Sequence, residues 1–132
     1  MTLSQVRLRL RKLINEQSRL SKIFMARKRL IKGGVYQSKS RCGKSNCKCV
    51  REGILHLVWR LYWTENGKTK LRALKYSELA YYQKLTRNYM RFRKARARLV
   101  KIHKEMIELI NVLEKRMTKG SVRGMSKGRG ND

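Results

Sequence analysis

Cys42, Cys47, Cys49 and His56 stand in the spacing C-x4-C-x-C-x6-H, and these are the only cysteines of the chain. Three thiolates and an imidazole make a ligand set that suits tetrahedral zinc. Gly43 allows the backbone to turn between the first two sulfurs. A small β unit with few core residues gains much from such a staple, since apparent zinc-binding energies of order ~10 kcal/mol become folding energy. The alternative reading is three reduced thiols, with His56 an ordinary strand residue. A redox role for Cys47 and Cys49 is a third.

The same loop carries Arg41, Lys44, Lys48 and Arg51, so a metal-stapled turn here is dressed in cations. The whole chain shares that bias. Thirty-five Lys and Arg against eight Asp and Glu leave a net charge of +27 over 132 residues. Between Leu79 and Lys104 there is no acidic residue. A charge this one-sided repels itself unless a polyanion neutralises it. Nucleic acid is the first expectation, and an anionic membrane surface the second.

Three basic surfaces are candidates. The first is the cysteine loop with Arg41, Lys44, Lys48 and Arg51, next to Arg60 and Tyr62. Aromatics beside cations stack unpaired bases. Trp59 and Trp63 alternate with Leu57 and Leu61 and read as hairpin core, which leaves Tyr62 as the stacking candidate. The second surface is Arg87, Arg91, Arg93, Lys94, Arg98 and Lys101, placed to follow a phosphate backbone. The third is the first helix, with Arg7, Arg9, Arg11, Lys12, Arg19 and Lys22. Nothing marks a set of base-reading side chains.

Catalysis is not expected. Scattered glutamates and a terminal Asp132 offer no paired carboxylates for two-metal chemistry, and no phosphate-cradling glycine loop is present. There is no apolar run of ~18 residues, so no transmembrane helix is expected. Arg7, Arg9 and Arg11 interrupt the N-terminal apolar residues, unlike a signal peptide. A cytoplasmic location follows, where thiols stay reduced.

The elements that must carry these residues are legible from periodicity. Val6, Leu10, Leu13, Gln17, Leu20, Phe24 and Ile31 follow steps of about 3.5 residues and predict a helix over 4–31. Gly33-Gly34 is read as its stop. Residues 33–75 read as a β unit: Val35–Ser38, then Leu55–Trp63 in strict alternation, then Thr69–Leu74. Asn66-Gly67 between the last two is the favoured pair of a two-residue hairpin turn. Ser77 is read as the cap of a second helix, 77–117, with Leu85, Phe92, Leu99, Met106 and Leu113 in heptad register. Tyr89, Arg96, His103, Ile110 and Met117 are its companion row. Residues 118–132 are mostly Gly, Lys, Arg and Ser, a basic tail with almost nothing to bury that is expected to be disordered.

The stretch Arg41-Cys42-Gly43-Lys44-Ser45-Asn46-Cys47-Lys48-Cys49, then His56, the aromatic strand Trp59–Trp63 and Asn66-Gly67-Lys68, resembles a small prokaryotic family of unknown function. Its members carry a CGKxxCxC…H motif, then an aromatic strand and a long charged helix. This chain departs after His56, where Leu57-Val58 replace the family's Gly-Pro. The resemblance transfers no activity.

The fold expected is α+β and mostly α. Two long helices form an antiparallel coiled-coil-like hairpin within a single domain, 1–117, and a zinc-stapled β unit is inserted between them. The function expected is that of a non-catalytic nucleic-acid-binding accessory protein with structural zinc. An interaction protein docking through its helices onto a nucleic-acid enzyme or its own copy, or a redox- or metal-responsive regulator, are the alternatives.

Overall fold

The computed structural model describes residues 1–40, 52–53 and 55–118. The chain is α+β and mostly helical. Helix α1 spans Leu3–Met25, strands β1, β2 and β3 span Gly33–Ser40, His56–Glu65 and Lys68–Leu74, and helix α2 spans Tyr76–Met117. It divides into two compact units. One comprises Met1–Phe24 with the chain from Arg96 onward; the other is Met25–Ala95.

In the first unit, α1 starts with a reciprocal cap. The Thr2 amide donates to Gln5 Oε1 at 2.8 Å, and the Gln5 amide donates to Thr2 Oγ1 at 3.1 Å. This is a capping box, T-x-x-Q, satisfying two of the amides that a helix start leaves open. Val6, Leu13, Ile102 and Leu109 form the buried cluster, with Leu10, Leu20, Met106, Val112 and Leu113 packed on it. Val6, Leu13 and Ile102 are each 1% exposed, and full burial of such side chains stabilises by about 1.5–3 kcal/mol apiece. Arg9 pairs with Glu105 and Glu16 with Arg98. As numbers rise along α1 they fall along α2, so the two segments run antiparallel in this unit.

The second unit is a three-stranded antiparallel sheet, order β1-β2-β3, with the first part of α2. The Asn66-Gly67 turn is as the sequence predicts: Glu65 pairs with Lys68 across it, and both turn residues have positive φ, 52° and 77°. Gly67 takes that conformation without strain. Leu61 and Leu74 are buried on the sheet face where Arg72 meets α2. There the Arg72 guanidinium donates to Glu78 at 3.1 Å and lies 5.0 Å from the Tyr82 ring centroid.

Three expectations are corrected. Helix α1 ends at Met25, not Ile31. From Arg29 onward the backbone finds partners other than its own helix: Asn88 Nδ2 donates to the Arg29 carbonyl and the Ile31 amide donates to the Leu85 carbonyl. Gly33-Gly34 therefore opens β1 rather than stopping a helix. At the start of α2, Ser77 is not the cap. The Lys75 amide donates to Glu78 Oε1 at 3.0 Å, and the helix begins at Tyr76. Finally, the companion row along α2 shifts. Tyr89 is half-buried, but Arg96, His103, Ile110 and Met117 are exposed, and Ala95, Ile102 and Leu109 are buried in their place. Three residues, not four, separate Phe92 from its next buried neighbour, so the heptad phase changes there.

Candidate nucleic-acid interface

The cationic surface is shaped by where the few carboxylates go. Glu16, Glu65, Glu78 and Glu105 are each tied to an internal cation: Arg98, Lys70, Arg72 and Arg9. Arg98 supplies the main hydrogen bond that holds the Glu16 carboxyl below its usual range, and Arg9 does so for Glu105. Glu65 is lowered first by the Trp63 indole N–H and then by Lys70. These acids are occupied in the fold and do not offset cations elsewhere.

In the second unit, α2 places Lys84, Arg87, Arg91 and Lys94 on one strip. At 100° per residue they fall within an arc of about 80°. All four are exposed, on the side of the helix away from Leu85, Tyr89 and Phe92, which are buried or half-buried. Lys84 completes the row one turn before Arg87, outside the group of cations that runs from Arg87 to Lys101 in the sequence. The spacing of three and four residues was the available signal. Arg93 is exposed but lies off this strip, on the flank beside Thr86. Arg98 and Lys101 belong to the first unit. Lys101 is exposed, whereas Arg98 forms a two-pronged pair with Glu16, Nε at 2.5 Å and Nη2 at 2.8 Å. It serves the helix–helix contact.

The sheet has a second face, carrying Gly34, Tyr36, Ser38, Val58, Arg60, Tyr62 and Leu71 by alternation from the register. Tyr36, Tyr62 and Leu71 are 36%, 41% and 60% exposed. The Tyr36 and Tyr62 ring centroids lie 6.0 Å apart, tilted by 49°. Tyr62 stands opposite Gly34 in the register, and a Cβ at Gly34 would lie 2.6 Å from its hydroxyl oxygen and 2.7 Å from Cε1. The ring thus covers an edge glycine, an arrangement that fixes register. Arg60 Nε donates to Ser38 Oγ at 3.1 Å, which steadies the guanidinium next to Tyr36, its cross-strand partner. Trp59 and Trp63 lie on the opposite face with Leu61 and are half-buried, as their alternation predicts. Nothing in the sequence pairs Tyr36 with Tyr62, since only the register of β1 on β2 brings the two rings together.

Of the expected metal ligands, His56 begins β2 and pairs in register with Ser40, the last residue of β1. Cys42, Cys47 and Cys49, with Arg41, Lys44, Lys48 and Arg51, lie outside the described residues. Among the described residues, no group of three or more His, Cys, Asp or Glu is placed to hold a metal ion. Likewise no helix among them is long and apolar enough to cross a membrane.

A family model described as a domain of unknown function matches residues 3–80. No curated protein and no solved structure matches the chain.

Proposed function

The chain belongs to that family, DUF6788, and we propose that it is a non-catalytic nucleic-acid-binding protein. The observation that carries this reading is the uncompensated charge. With +27 overall and four glutamates spent on internal pairs, the strip Lys84, Arg87, Arg91 and Lys94 faces solvent without a described acid in it. Phosphates at the spacing of a nucleic-acid backbone neutralise such a strip and release counterions.

The open sheet face adds a second mode of contact. Tyr36 and Tyr62 present partly exposed rings beside Arg60, and base–aromatic stacking accepts any base. Phosphate contacts along α2 and stacking on the sheet together suit single-stranded nucleic acid or an RNA loop better than a regular duplex.

Zinc fits this reading as a structural ion. Cys42, Cys47, Cys49 and His56 supply soft sulfur donors and an imidazole. The Ser40–His56 register pair brings the two ends of the cysteine-bearing segment together. A zinc ion held by these four residues would cross-link the stretch of sequence that also carries Arg41, Lys44, Lys48 and Arg51. Its contribution is conformational.

The reading is tested by the nucleic acid that accompanies the full chain purified at moderate salt. Sequencing should return a recurrent RNA or single-stranded species. Protein free of nucleic acid under those conditions contradicts the proposal.

A further inference from the structure

Within the first unit, α2 carries a second apolar row outside the buried cluster. Val100, Ile107, Ile110 and Met117 are 57%, 57%, 41% and 58% exposed. His103 and Glu114, also exposed, fill the remaining places of a row with alternating steps of three and four: Val100, His103, Ile107, Ile110, Glu114, Met117. That alternation is the a/d repeat of a two-stranded coil. The row lies about 120° round the helix from Ile102 and Leu109, which belong to the cluster with Val6 and Leu13.

The row is symmetric about its midpoint, between Glu108 and Leu109. Reversed, it reads apolar, carboxylate, apolar, apolar, imidazole, apolar. An antiparallel copy of itself therefore sets Val100 against the partner's Met117, Ile107 against the partner's Ile110, and His103 against the partner's Glu114. Every apolar residue meets an apolar one, and each imidazole meets a carboxylate. On the flank, Lys104 falls next to the partner's Asn111 rather than another cation. A parallel pairing instead sets Glu114 against the partner's Glu114.

We propose that this row seats a second copy of the chain, antiparallel and about a two-fold axis. The same patch then serves both copies, as a two-fold interface requires. The chain beyond Met117 is a poor rival occupant, because Val122 and Met125 are its only large apolar residues.

The high net charge of each copy opposes this pairing, and salt screens that repulsion. Salt weakens phosphate contacts at the same time. Self-association and nucleic-acid binding therefore respond to salt in opposite directions, so either can fail without the other.

The test is sedimentation equilibrium of the full chain in ~1 M NaCl, where charges are screened within ~3 Å, with nucleic acid removed. The mass should rise from 15.7 kDa toward twice that value with concentration. His103→Glu should weaken the dimer at least about tenfold, since it sets like charges together inside the seam, where salt screens them much less than at the surface. Adding Glu114→Lys should restore it, a rescue that parallel pairing does not allow. Ile107→Lys should give a monomer with an unchanged helical spectrum. A wild-type chain that stays monomeric at its highest soluble concentration overturns the proposal. So does a dimer indifferent to Ile107→Lys, or one that the second charge change fails to rescue.

Discussion

Arg9 grips the Glu105 carboxylate with two hydrogen bonds, Nε at 2.5 Å from Oε2 and Nη2 at 3.0 Å from Oε1. Seven residues along each helix the polarity is reversed, with Glu16 on α1 and Arg98 on α2. This reversal specifies register. A slip of one heptad sets Arg9 against Arg98 or Glu16 against Glu105, so the charges oppose every nearby alternative that the apolar row would tolerate. Exposed ion pairs contribute little stability individually, and specification is the better account of two acids placed here in so basic a chain.

Arg9→Glu should lower the melting temperature of the helical signal, because it sets two carboxylates together. Arg9→Glu with Glu105→Arg should recover most of the loss. Leu13→Ala, in the same contact, should cost about 2–5 kcal/mol by denaturant unfolding. Equal melting of the single and double charge variants contradicts the register role.

Acid should loosen this contact. Glu16 and Glu105 are held below the ordinary carboxyl range by their arginine partners. Such groups stabilise the fold above their unfolded pKa, and the contribution is lost as pH falls through the folded value. Melting temperature should therefore drop as pH falls below about 4. The combined Glu16→Gln and Glu105→Gln variant should show a flatter dependence. Parallel profiles for variant and wild type count against the account.

Tyr62→Ala should weaken binding of a single-stranded RNA by roughly 1–3 kcal/mol, the range for one stacked base, and should change duplex binding less. Gly34→Ala should shift affinity the same way without deleting the ring. Its Cβ occupies the space of the Tyr62 hydroxyl end and displaces the ring. If both variants bind single strands as the parent does, the sheet face is not the base contact.

Purified chain should carry about one zinc per molecule. Cys47→Ser should lose it and lower affinity for RNA while α1 and α2 keep their helical signal. Metal-free protein that binds RNA unchanged removes zinc from the account.

Much of this architecture was legible before the structure, for reasons particular to certain residues. Asn66-Gly67 announces its turn because few pairs accept two positive φ angles in succession. Val6, Leu10, Leu13 and Leu20 announce the buried side of α1 because their spacing matches its turn. The end of α1 was not legible. It depends on Leu85 and Asn88, distant in sequence, which bind the backbone of Ile31 and Arg29. The phase change at Phe92 was hidden because α2 serves two different cores, and a strict heptad continued from Leu85 runs into Arg96 and His103. Ala95, Ile102 and Leu109 were the contrary signal, an all-apolar row beside one with an arginine and a histidine. Tyr36 was hidden for a related cause, since a strand register decides which rings meet.

The central claim rests on Lys84, Arg87, Arg91 and Lys94 as phosphate ligands. It is tested most directly by titrating a labelled single-stranded RNA across salt concentrations, for the wild type and for a variant with all four changed to Ala. The slope of log affinity against log salt should become shallower by about 3 in the variant, close to 0.7 for each lost contact. An unchanged slope at equal helical content contradicts the claim and returns these cations to the role of a solvated face.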